Sequence, residues 1–218
     1  MEGKSKITLH GYFRSTASWR VRIALNLKGI DADHVFHHLR RGEQHAPSYL
    51  ALNPQGLVPA LTLGDGVVLT QSLAICEYLD ETFPSPPLLP ADPVQRAKAR
   101  ALAYIIACDT HPVQNLKILD RLRQSGLGDD SVKIWAATAI DEGLNAAAAL
   151  LGPAEGIAGF AFGDGPGLFE LCLIPQLANA RRFGVDLRWP ALAAIENRCV
   201  ILPAFAAAMP EAQADAET

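Results

Sequence analysis

The spacing of apolar positions changes character near residue 84. Before it, short apolar runs at 7–12 and 34–38 have the length and alternation of strands. Two more runs, 60–63 and 67–70, flank Gly64-Asp65-Gly66, a turn sequence that joins antiparallel neighbours. Between the first two strands, residues 17–28 place Trp19, Ile23, Ala24 and Leu27 on one helical face, and Gly29 follows as a stop signal. After the hairpin, residues 72–83 carry Leu73, Ile75, Cys76 and Leu79 at helical spacing.

The order strand–helix–strand, then hairpin–helix, predicts a thioredoxin-like α/β domain. Its first two strands run parallel and its hairpin adds antiparallel ones. Next comes Pro84-Ser85-Pro86-Pro87-Leu88-Leu89-Pro90-Ala91-Asp92-Pro93, whose proline density rejects helix and strand alike. The expected organisation is a domain over 1–84, a linker over 85–93 and an all-helical domain over 94–218. In that second half, residues 94–123 keep helical register and Pro112 interrupts it, bending the axis. Residues 131–151, 168–183 and 190–202 are further helices. From about residue 210 the chain carries few apolar side chains, and no ordered packing is expected.

With 218 residues, half of them hydrophobic and 19% charged, the chain has material for two cores. The formal charge of −4 and the absence of a long Lys/Arg block exclude nucleic acid as the main partner. The basic residues cluster locally instead, around 14–22, 40–41 and 181–182, which suits a small anion. Cys76, Cys108, Cys172 and Cys199 lie far apart with no zinc spacing, so no metal is expected. They read as buried thiols in a reducing cytoplasm. The polar start at 1–6 has no signal-peptide character, and no run is apolar enough to span a membrane.

The chemistry concentrates at the turn Tyr12-Phe13-Arg14-Ser15-Thr16-Ala17-Ser18-Trp19-Arg20-Val21-Arg22. Hydroxyls at a strand-to-helix turn, with the helix N-terminus beside them, favour an anion such as a thiolate. A plain N-cap at Ser15 or Thr16 accounts for the same residues. Asn53-Pro54-Gln55-Gly56-Leu57-Val58-Pro59 places a proline just ahead of a strand. A cis Val58–Pro59 bond would present the Val58 backbone to an extended peptide, whereas a trans bond makes an ordinary turn. Gln71-Ser72 opens the helix after the hairpin, as a cap or as a carboxylate site.

These stretches, with Ile23-Ala24-Leu25, His111-Pro112-Val113-Gln114-Asn115-Leu116 and Pro175-Gln176-Leu177-Ala178-Asn179-Ala180-Arg181-Arg182-Phe183, resemble the zeta class of glutathione transferases over nearly the whole chain. That class includes maleylacetoacetate and maleylpyruvate isomerases. The resemblance implies a glutathione-transferase fold, glutathione as cofactor, a homodimer, and a small dicarboxylate substrate. It implies that Ser15 hydrogen-bonds the glutathione sulfur with Thr16 and Ala17 beside it and Arg14 at the mouth. Val58 and Pro59 would meet the cysteinyl unit, Gln71 and Ser72 the γ-glutamyl end, and Gln44 the glycine carboxylate. Arg14, His111, Asn115, Lys117 and Arg182 are the implied substrate-binding groups.

Two departures from the class pattern matter. Ala17 stands where the class carries cysteine, which removes a protein thiol from redox chemistry but leaves isomerisation intact. Gly167 replaces the Ser/Thr cap expected at residue 167, with Glu170 placed to reach back, so Gly167→Thr is expected to raise the unfolding temperature. The implied reaction is glutathione-dependent cis–trans isomerisation of a maleyl-type diketo diacid. The alternatives are a transferase acting on small α-halo acids and a non-catalytic binding protein of the same fold.

Overall fold

The computed structural model describes residues 7–156 and 159–217; the polar start at 1–6 lies outside them. The chain divides into two compact units, Met1–Pro87 joined by Ile201–Thr218, and Leu88–Val200.

In the first unit a four-stranded sheet has the order β2-β1-β3-β4, with β1 Ile7–Gly11, β2 Ala32–Phe36, β3 Ala60–Thr62 and β4 Val68–Thr70. β1 pairs parallel with β2 through the crossover helix α1 (Thr16–Leu27), and antiparallel with β3, with Leu9 opposite Leu61. That register places both leucines in the core, 1% and 0% exposed. Ile23 of α1 joins them there, as do Ile75 and Leu79 of α3 (Ser72–Thr82). The expected strand and helix bounds differ from these by a few residues at most. Sequence periodicity missed the short turns at Leu39–Arg41 and Glu43–His45 and the helix α2 (Pro47–Leu50). Each is too brief to display a period.

A second apolar cluster of Tyr12, Phe13, Tyr49, Val58 and Ala60 fixes the segments that will matter for the site. Ala216 packs against it, which corrects the expectation of a loose tail and of a second domain running to 218. The tail is held mainly by polar contacts. Asp215 Oδ2 accepts from the Phe13 N–H at 2.9 Å, and Ala208 O accepts from Arg22 Nε at 3.0 Å. Glu217 Oε1 stands 2.6 Å from His38 Nε2. A count of apolar residues could not see them.

The second unit is helical: α4 (Pro93–Tyr104), α5 (Leu116–Gln124), α6 (Asp129–Leu151), α7 (Leu168–Phe183) and α8 (Pro190–Cys199). The short helix α9 (Pro203–Ala206) belongs to the returning tail. Helix α7 lies at the centre, and every residue from Leu168 to Leu177 is buried. The stretch expected as one interrupted helix over 94–123 is four elements. After α4, residues Ile105–Thr110 widen into a π-helix, Pro112–Gln114 form a 3-10 turn, and α5 begins afresh. Pro112 has no N–H to continue an α-helical ladder. The chain answers by widening, and the His111 N–H reaches back to Ile106 O at 2.8 Å. Thr110 closes over Gly143 of α6 so tightly that a Cβ on Gly143 would collide with the threonine hydroxyl.

Candidate active site

Helix α1 begins immediately after Ser15, whose backbone is extended (φ −69°, ψ 114°). Its Oγ accepts from the Ser18 N–H at 3.2 Å, so the capping reading is realised. Capping and catalysis are compatible here. An oxygen that accepts from a backbone N–H still has its own O–H to donate, and the contact polarises it. Thr16 and Ala17 are buried in the first turn, and the Thr16 hydroxyl oxygen has no hydrogen-bond partner. Arg14 is exposed, its guanidinium 5.0 Å from the Phe13 ring centroid.

The loop ahead of β3 is held from behind. Tyr49 Oη and Asn53 Nδ2 both donate to Leu57 O, at 2.6 and 2.7 Å. Burial pushes the Tyr49 phenol up to about 12, with the Asn53 contact acting the other way. The Val58–Pro59 bond is cis. Neither the N–H nor the C=O of Val58 pairs with another described residue, which leaves a short open edge for an extended peptide.

Gln71, the N-cap of α3, has φ 69°, the one positive φ outside glycine among the described residues. A glutamine held there carries backbone strain of about 1–3 kcal/mol, a feature that gathers at binding sites. Its side chain does not cap α3; Nε2 donates to Gln55 Oε1 at 2.8 Å and ties the loop 53–58 to the start of the helix. Ser72 Oγ accepts from Arg20 Nη1 at 3.2 Å, tying the same point to α1. At the other end of that loop, Gly56 (φ 62°) lies against the His45 ring and Gln44 O, where any side chain would collide. Gln44 Oε1 is buried and has no partner.

A chain of contacts thus joins Gln44, the loop before β3, Gln71, Ser72 and α1 in one unit. Sequence reading missed two of its links. Arg20 was counted only in the basic cluster around 14–22, and it is buried. Gln55 carried no role of its own in the sequence, and its side-chain oxygen is what Gln71 donates to. Arg22, from the same basic cluster, is also buried and donates to Ala208 O, Tyr12 O and Phe13 O. Burial pulls the Arg22 guanidinium down to about 10, with the Asp215 charge working against that. The available signal was a charged residue inside an otherwise buried helical turn.

In the second unit, Asn115 caps α5 through its side-chain oxygen, which accepts from the Ile118 N–H at 3.2 Å. His111 is half-buried between the π-helix and the 3-10 turn, and Lys117 is exposed on α5. Arg182 lines a cleft of about 260 Å³ with Leu119, Arg123, Asp129, Val132, Lys133 and Phe183; His111, Asn115 and Lys117 do not line it. Cys108 is exposed, contrary to the expectation that all four thiols are buried, because it falls on the widened turn. Among the described residues no group of three or more His, Cys, Asp and Glu is placed to hold a metal, and no helix is long and apolar enough to cross a membrane.

Residues 14–82 match the family model for the glutathione S-transferase N-terminal domain. A maleylacetoacetate isomerase of Pseudomonas aeruginosa is 46% identical over 95% of this chain and 97% of its own. Among solved structures, a holo maleylpyruvate isomerase described as a bacterial zeta-class glutathione S-transferase is 43% identical, with a TM-score of 0.91 over 96% of this chain and all of that one. A maleylacetoacetate isomerase of Methylobacterium extorquens, solved with malonate and GSH, is 42% identical, with a TM-score of 0.92 over 97% of this chain and all of that one. The motif at the start of α1, the fold and these likenesses agree, and the chain belongs to the zeta class of the glutathione S-transferase family, alongside the maleylacetoacetate and maleylpyruvate isomerases.

Proposed function

We propose that the protein is a glutathione-dependent cis–trans isomerase of a maleyl-type diketo diacid, maleylacetoacetate or maleylpyruvate. The observation that carries the reading is the Ser15 hydroxyl at the N-terminus of α1, in a chain that matches isomerases of this kind along almost its whole length. The residues present fit the cofactor. The open Val58 backbone suits the cysteinyl unit and the start of α3 at Gln71 and Ser72 suits the γ-glutamyl end. Gln44, beside the far end of the loop before β3, is proposed to donate its side-chain NH2 to the glycine carboxylate.

What glutathione supplies when bound is a nucleophilic thiolate that adds reversibly to the cis double bond, so that the bond becomes single, turns and re-forms as trans. A free thiol titrates near ~8.5 and is only a few per cent ionised at neutral pH. Ser15 answers that by donating its O–H to the sulfur, backed by the positive end of α1. Thr16 and Ala17 close the turn beside it. Arg14, His111, Asn115, Lys117 and Arg182 are proposed to hold the substrate's carboxylates and carbonyls, and a cation near the carbonyl would stabilise the developing enolate. The expected setting is a homodimer in a reducing cytoplasm, in keeping with the family.

The test is turnover of both maleylacetoacetate and maleylpyruvate with and without glutathione, with total glutathione followed throughout. Isomerisation that requires glutathione and leaves its level constant supports the reading. Stoichiometric loss of glutathione with α-halo acids and no isomerisation would assign a transferase. Absence of turnover and of glutathione binding would assign a binding protein.

A further inference from the structure

Helix α1 carries two arginines of the basic cluster around 14–22, and both are buried, but their surroundings differ. Arg22 spends its donors on three backbone carbonyls. Arg20 is 1% exposed and makes one side-chain hydrogen bond, from Nη1 to Ser72 Oγ at 3.2 Å. Its Nε and Nη2 are buried with no partner. A guanidinium out of water with unmet donors destabilises a fold, and an apolar side chain of similar volume would avoid that penalty. Packing alone gives no reason to hold a charge there.

The charge lies directly behind the start of α3. That helix is eleven residues long, has no acidic residue in its first turn, and is left uncapped by the strained Gln71, whose amide reaches Gln55 instead. Its first N–H groups therefore keep their capacity for an external acceptor. When Arg20 donates into the Ser72 oxygen, the Ser72 hydrogen is directed away from the guanidinium, free to donate to a ligand. We infer that Arg20 is a positioning residue for a carboxylate bound at the start of α3, setting the Ser72 hydroxyl as a donor and adding its own charge to the helix end. Resting on the proposed function, the carboxylate is the α-carboxylate of the γ-glutamyl unit, and Arg20 makes the site selective for it.

The experiment compares binding, by titration calorimetry, of glutathione and of 4-aminobutanoyl-cysteinylglycine, the same tripeptide without that carboxylate. In the unaltered protein glutathione binds more tightly. Arg20→Met weakens glutathione about tenfold or more, the size expected for a lost charge-assisted contact, and leaves the analogue within about twofold. The preference for the carboxylate then collapses. Equal weakening of both ligands would make Arg20 merely structural, and unchanged glutathione affinity would remove it from the site; either result overturns the inference alone. No glutathione binding by the unaltered protein would overturn the proposed function first and this inference with it. If Arg20→Met does not fold cooperatively, Arg20→Lys is read with the same pair: a preference reduced about threefold or more supports the assignment, and an unchanged one refutes it.

Discussion

A Cβ atom on Gly167 would lie 2.6 Å from the backbone oxygen of Leu88, an atom that already accepts from the Leu168 N–H at 2.8 Å. The glycine is therefore present for space. Its backbone (φ −118°, ψ −165°) is open to any residue. Glu170 does reach back, accepting from the Gly167 N–H at 2.8 Å, so one half of a capping box exists. The expected gain from Gly167→Thr is reversed by this contact. That substitution should cost about 1–3 kcal/mol and lower the thermal midpoint by several degrees, as read by calorimetry. A raised midpoint would mean that Leu88 yields.

Ser15→Ala should separate two roles of one oxygen. Loss of the contact to the Ser18 N–H costs about 1 kcal/mol of stability. Loss of the donor to sulfur should cut isomerase turnover by about a hundredfold or more. Turnover preserved within a factor of two, with the stability loss present, would leave Ser15 as a cap only.

The returning tail should contribute measurably to the first unit. Asp215→Ala strips the buried Phe13 N–H of its acceptor, for an expected loss of about 1–3 kcal/mol. Asp215→Asn keeps an acceptor and removes only the charge facing Arg22, so its midpoint should fall between those of the parent and the alanine variant.

Acid should weaken the fold through a histidine pair. His10 Nδ1 lies 3.1 Å from His37 Nε2, and the His37 ring packs on Tyr49. Burial holds both imidazoles below the ordinary 6.5, with His37 adding to the effect on His10 and Glu43 opposing it on His37. The unfolded chain therefore takes up protons first as pH falls below about 6.5, and stability drops with it. Stability should be full near pH 7.5 and decline through pH 6 and below, in the window above the carboxylates. In His37→Asn the slope between pH 7 and 6 should flatten; an unchanged slope would place the effect elsewhere.

The sequence determined the parts whose signal is local. Alternation in 7–12 and 60–63, the helical faces of α1 and α3, the turn Gly64-Asp65-Gly66 and the proline run after residue 83 each follow from neighbours a few positions apart, and each is found within a few residues of its expected place. The cap at Ser15 and the helix start at Ser72 were legible for the same reason, whereas the roles proposed for Ser15, Val58 and Gln71 toward glutathione rest on the resemblance to the zeta class. Tertiary structure decided what long separations control. Arg20 and Arg22 became interior because Ser72 and Ala208 arrive beside them from 52 and 186 positions away. The tail became ordered because Phe13 offers a buried donor to Asp215, and residue 167 had to be glycine because Leu88 crosses it. Periodicity records which face of a segment is apolar; which partner then covers that face, and which charges are enclosed with it, is fixed only when distant segments compete for the same space.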